Sequence, residues 1–236
     1  INDDSSFSSM AIDKDGNYIA VGYIELKNKR CDDALIVKFD SDLNIIAAKI
    51  YGGSDDDYFR DIVIDDNNDY IVIGYTHLEN QDYHSALIAK FDSNLNVLNN
   101  KVYAKAYYDD FSSIAIDNDG NYIVAGYTEL EDRNKCNTLI IKFDRNLNKL
   151  AAKIYNEDNY SYPYDLAVDD DGNYIIIKCI SIEDKDHDNN LIVKFDKNLN
   201  IINNKIYDKN DISNSSNLTL TSIDLSLYPI TDNKTK

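Results

Sequence analysis

Apolar and polar positions along the chain follow one pattern, and it returns every 52 residues. Each return opens with a short apolar run and an acidic turn, Asp13-Lys14-Asp15-Gly16-Asn17, followed at once by Tyr18-Ile19. The same turn stands at Asp65-Asp66-Asn67-Asn68-Asp69, Asp117-Asn118-Asp119-Gly120-Asn121 and Asp169-Asp170-Asp171-Gly172-Asn173. Lys-Phe-Asp triplets place Phe39, Phe91, Phe143 and Phe195 in a second column, and Tyr51, Tyr103, Tyr155 and Tyr207 form a third. The columns stay in register through residue 207 without insertion or deletion. Periods of this size indicate solenoids, propellers or arrays.

Inside one repeat the pattern predicts four strands: Phe7 to Asp13, Tyr18 to about Leu26, Ala34 to Phe39, and Ile45 to Tyr51. Val, Ile, Tyr and Phe fill these runs, and Asp, Asn and Gly punctuate them. Leu35-Ile36-Val37 and Leu139-Ile140-Ile141 leave no polar side. Such strands need cover on both faces. Four-stranded blades stacked around an axis supply it, because each sheet lies between its neighbours. The expected fold is therefore all-β, a propeller of four blades at about 1–52, 53–104, 105–156 and 157–208. A C-terminal tail, 209–236, follows, with strand-like alternation over 217–230. A second period lies within the first: Ala47-Ala48 and Ala151-Ala152 alternate with Asn99-Asn100 and Asn203-Asn204. It predicts Ala and Asn faces alternating around the ring.

Charge narrows the partners. A formal net charge of −18 argues against nucleic acid, which requires Lys/Arg footprints, and against anionic lipid. No run reaches the roughly 18–20 apolar residues of a membrane span, so direct membrane insertion is not expected. The three cysteines, Cys31, Cys136 and Cys179, show no zinc or disulfide spacing. Alternate Asp and Asn oxygens in the acidic turns suit calcium. Asn68 in place of glycine, with Asn67 diluting the charge, instead favours a hairpin turn. No cofactor is expected, calcium being the one candidate.

The run A-I-D-x-D-G-N-Y-I-x-x-G-Y-T, then L-I-x-K-F-D-x-x-L-N, then K-I-Y-G-G resembles the bacterial β-propeller repeats called SBBP, over residues 1 to about 208. The resemblance implies a propeller, typically on secreted or cell-surface proteins, with no established common activity. Three departures stand out. Leu43, Leu95, Leu147 and Leu199 occupy the third turn where the family has glycine, tryptophan is absent, and Lys178-Cys179 replaces Gly22-Tyr23 and its equivalents. The last change points to an altered neighbour or an exposed face for blade four.

Candidate sites fall where the repeats differ. Loops between repeats carry Asp55-Asp56-Asp57-Tyr58, Tyr107-Tyr108-Asp109-Asp110 and Tyr160-Ser161-Tyr162. Tyr faces stack on sugar rings while carboxylates take hydroxyls. Arg60, Asp61, Tyr164 and Asp165 are expected to reach the central channel. The candidate binding residues are thus Tyr58, Arg60, Asp61, Tyr107, Tyr108, Tyr160, Tyr162, Tyr164 and Asp165. Loops between second and third strands, which hold His84 and His187, are a further place for binding. No G-x-S-x-G, H-E-x-x-H or phosphate loop is present. The expectation is a non-catalytic extracellular or cell-surface module, not an enzyme, binding protein partners. A lectin-like glycan binder is the alternative, and a homo-oligomer or part of a longer chain is the expected context.

Overall fold

The computed structural model describes residues 4–27, 29, 31–78, 83–104, 107–129, 136–155, 161–180 and 189–207. The expected tail strands over 217–230, Tyr160 and His187 lie outside these residues, as does most of the loop between second and third strands in blades 2, 3 and 4.

The described residues form sixteen strands in four antiparallel sheets, each in simple meander order. Blade 1 comprises β1 (Ser5–Ile12), β2 (Tyr18–Glu25), β3 (Asp32–Phe39) and β4 (Ile45–Tyr51). Blade 2 comprises β5 (Tyr58–Ile64), β6 (Tyr70–His77), β7 (His84–Phe91) and β8 (Val97–Tyr103). Blade 3 comprises β9 (Tyr108–Ile116), β10 (Tyr122–Glu129), β11 (Asn137–Phe143) and β12 (Lys149–Tyr155). Blade 4 comprises β13 (Ser161–Val168), β14 (Tyr174–Ile180), β15 (Asn189–Phe195) and β16 (Ile201–Tyr207). No helix among the described residues is long and apolar enough to cross a membrane.

Two turns per blade are built alike. Asp13 Oδ1 accepts the backbone N–H groups of Asp15 and Asn17, and Gly16 takes φ +82°. Asn68 holds the same left-handed geometry at φ +63°, which Asn tolerates better than most residues. The second turn repeats this with Asp40 and Asn44, but its left-handed residue is leucine. Left-handed geometry costs a non-glycine residue about 1–2 kcal/mol. Full burial of a leucine returns about 1.5–3 kcal/mol. Leu95, Leu147 and Leu199 are buried, so burial offsets the strain.

Three apolar clusters join consecutive blades. Ile19, Val21 and Ile36 of blade 1 meet Tyr70, Val72 and Phe91 of blade 2. Ile71, Ile73 and Ile88 then meet Tyr122, Val124 and Phe143, and Ile123, Ala125 and Ile140 meet Tyr174, Ile176 and Phe195. This is the cover the two-faced apolar strands require. A buried polar stitch accompanies each cluster. The Lys38 ammonium bonds Asp13 at 2.9 Å, and the Tyr70 hydroxyl of the next blade donates to the same carboxylate at 2.8 Å. Lys90, Asp65 and Tyr122 repeat it, as do Lys142, Asp117 and Tyr174.

The Ala/Asn alternation holds for the first residue of the first three pairs, while Asn203 is exposed. Ala47 and Ala151 pack against the next blade, while Asn99 donates 2.8 Å to the carbonyl of Asn146. The second residues, such as Ala48 and Asn100, are exposed.

Candidate functional site

The innermost strands carry a β-bulge at equivalent places, between Phe7 and Ser9, Phe59 and Asp61, and Pro163 and Asp165. A bulge adds a residue and re-aims side chains. It separates two adjacent columns. Ser9, Asp61, Ser113 and Asp165 form a hydrogen-bonded chain from blade to blade. The bulged neighbours Arg60, Ser112 and Tyr164 instead line a cavity of about 360 Å³, completed by Asp110, Tyr127, Tyr162 and Pro163.

Glycines draw β2, β6 and β10 close to those inner strands. A Cβ at Gly126 would stand 2.0 Å from the Asp110 carbonyl oxygen, and one at Gly74 1.9 Å from that of Tyr58. The residue after each glycine, Tyr75 or Tyr127, therefore reaches the neighbourhood of the cavity. In blade 4 Lys178 stands in the glycine column, is buried, and donates to Thr138 Oγ1 of blade 3 at 3.1 Å.

Asp110 is the chemically distinctive group. Its Oδ2 accepts from Arg60 at 3.1 Å, while its buried Oδ1 has no hydrogen-bond partner. Burial raises its pKa to about 6 against the opposing pull of Arg60. A buried carboxyl oxygen without a donor suits the protonated form. Arg60 also lies over the rings of Tyr75 at 5.3 Å and Tyr58 at 5.6 Å, which hold its guanidinium in place. Tyr127 meets Tyr162 edge-on at 5.2 Å, and burial pushes the Tyr127 phenol well above its ordinary range. Cys136, 3.2 Å from the Tyr162 hydroxyl, has its thiol raised to about 12 by burial and is not a nucleophile near neutral pH.

The sequence candidates thus separate. Arg60, Tyr162 and Tyr164 line the cavity, and Tyr58 lies under Arg60. Asp61 and Asp165 are spent on structure. Asp61 accepts from Ser9, Ser113 and the backbone of Ile62 and Ile114, while Asp165 accepts from Ser113 and the backbone of Leu166. Tyr107 and Tyr108 belong to another group, each edge-on to Tyr83, with Tyr108 also against His84. Burial lowers His84 to about 4. The sequence candidates omit Asp110, Ser112, Tyr127 and Tyr75; the recurring Gly-Tyr pair was the available signal for the two tyrosines. Among the described residues no cluster of His, Cys, Asp and Glu could hold a metal.

No family model and no curated protein matches the chain. The solved structures do. An endo-arabinase from Bacteroides thetaiotaomicron is 13% identical with a TM-score of 0.50, over 82% of this chain and 79% of that one. A GH43 endo-arabinanase from Bacillus licheniformis is 12% identical with a TM-score of 0.45, over 85% and 78%. A eukaryotic initiation factor is 12% identical with a TM-score of 0.41; the chain covers 55% of its length, little more than half.

The shared feature is the propeller. The expected β-propeller fold is borne out, whereas membership of the SBBP family is not. The expectation of a non-catalytic module, not an enzyme, is corrected: the same fold serves as the frame of glycoside hydrolases, so the absence of familiar linear motifs did not exclude catalysis. The lectin-like alternative fares no better. Linear motifs fail here because a propeller gathers its site from separate blades.

Proposed function

We propose that the cavity at Asp110 is the active site of a hydrolase acting on a polyhydroxylated polymer outside the cell. The observation that carries this reading is the Asp110 carboxyl itself: buried, bonded on one oxygen only, and able to hold its proton to about pH 6 beside a cavity. A carboxylic acid in that state is suited to protonate a leaving oxygen. Arg60 orients it, and Tyr127, Tyr162 and Tyr164 offer ring faces against which a sugar would stack. Arabinan is the first polymer to try, because an endo-arabinase shares the fold.

The test is release of new reducing ends from a panel of polysaccharides led by arabinan. The expected result is activity that falls as pH rises through about 6, and a loss of about 100-fold or more in Asp110→Asn with the fold intact. No product from any polymer, or an Asp110→Asn variant as active as the parent, overturns the reading.

A further inference from the structure

Each blade has a leading face, turned toward the blade before it, and a trailing face, turned toward the blade after it. Three trailing faces meet three leading faces, but among the described residues no apolar cluster joins blade 4 to blade 1. Two faces therefore have no partner blade among the described residues, and the repeat shows what each is built to meet.

On blade 4 the trailing column is bare. Ile177 is 43% exposed where its counterparts Val21, Ile73 and Ala125 are at 0%. Ile192 is likewise exposed where Ile36, Ile88 and Ile140 are buried. On blade 1 the centre of the leading face, Ala20 and Val37, is buried, but its rim is open. Phe7 is 54% exposed against 1% for Phe59, and Met10 is exposed where Ile62, Ile114 and Leu166 are buried.

Leu43 is the sharpest sign. It adopts the same left-handed geometry as its counterparts, at φ +65°, yet it is 70% exposed against 0% for Leu95 and Leu199. In the other blades burial offsets that strain. At Leu43 nothing in the described chain does.

The polar stitch is unfinished at the same two places. Asp169 and Lys194 pair at 2.6 Å on blade 4 without the phenol that completes the other three-residue stitches. Tyr18, which holds that phenol's column on blade 1, makes no such bond among the described residues. The two open halves complement each other as the internal ones do: apolar column to apolar column, Asp–Lys pair to tyrosine.

We propose that these faces join two copies of the chain head to tail, the trailing face of blade 4 of one copy seating on the leading face of blade 1 of the other, twice, to close a ring of eight blades. Eight lies within the range of closed propellers, and a heterologous contact that closes after two copies gives a finite particle. The contact is the internal blade-to-blade interface used once more between chains.

The test is mass in solution by light scattering on the full chain, across the concentration range it tolerates. The expected result is a particle of twice the 26.9 kDa chain. Leu43→Glu damages only the leading face and Ile177→Glu only the trailing face. Each variant alone should be monomeric, with an unchanged far-ultraviolet spectrum, since both side chains are exposed in the single chain. Mixing the two variants should restore a one-to-one pair through the one intact contact, while the double variant forms none. A monomeric parent overturns the proposal, including one whose own 208–236 segment occupies the faces. So does a dimer indifferent to both variants, or an open ladder of larger species.

Discussion

At the residue scale, single side chains in this protein answer to a face rather than to their own chemistry. Leucine in a left-handed turn is a poor local choice, yet it stands at all four equivalent places, and at Leu95, Leu147 and Leu199 the buried side chain offsets the strain. Leu147→Gly should relieve strain but lose a buried side chain, for a net cost of about 2 kcal/mol in denaturant titration. Asn68→Gly relieves the strain at φ +63° but loses the bond that Asn68 Oδ1 accepts from the Lys14 backbone at 2.9 Å, so stability should stay within about 1 kcal/mol of the parent. Asp110 sets a pH signature of its own. Its folded pKa, about 6, lies above the ordinary carboxyl value, so the folded state binds the extra proton. Its contribution is fully present below about pH 4 and is lost as pH rises through about 6. Asp110→Asn should flatten the decline in stability over that window, read from melting temperatures in a pH series; an unchanged slope counts against the assignment. That aspartates abound near tyrosines was legible in the sequence. That Asp110 is buried with one unbonded oxygen, against Arg60 and beside a cavity, was not, because burial is set by β10 and the neighbouring blade.

At the element scale, the stitches between blades carry charge into apolar surroundings. Burial by itself raises the carboxyls of Asp13, Asp65 and Asp117, but the bonds from lysine and from the turn's own asparagine or aspartate, with a tyrosine bond at Asp13 and Asp65, outweigh it and hold all three below the usual range. Asp169, more exposed, is lowered to about 2 chiefly by Lys194. Groups of this kind contribute stability above the unfolded pKa and lose it as pH falls through the folded one. Unfolding by acid should therefore begin below about pH 4 and deepen toward pH 2. Removing one partner of a buried pair leaves a charge uncompensated, at a cost of about 3–5 kcal/mol. Lys90→Met should approach that range. Lys194→Met should cost much less, because its pair is screened by solvent. Equal losses in both variants would show that the stitch does not depend on the following blade. The acidic turns themselves were readable as hairpins from Asn68 alone; the tie from turn to lysine to the tyrosine of the next repeat was not, since its partners lie 25 to 57 positions apart.

For the whole molecule, the order of blades sets a gradient of protection. Blades 2 and 3 are covered on both faces, whereas blade 4 has one bare face. Amide hydrogen exchange should be slowest in β6 and β10 and faster in β14 when the chain is held dilute. Raising the concentration should slow β14 if a second copy covers it. Uniform protection across the blades would mean that a closed four-blade ring forms in solution.

The repeat and its alternation, by themselves, determined the sixteen strands, their grouping into four sheets, the turn chemistry and the propeller. These follow from local periodicity and turn preference, which act over a few residues and therefore show in a linear reading. The tertiary structure alone decided which of four equivalent faces remain bare, which aspartate keeps a proton and which tyrosines share a cavity. Identical columns cannot differ in sequence-local terms. They differ only in whether another blade stands beside them, and that neighbour sets the burial, the dielectric and the hydrogen-bond partners on which the chemistry depends.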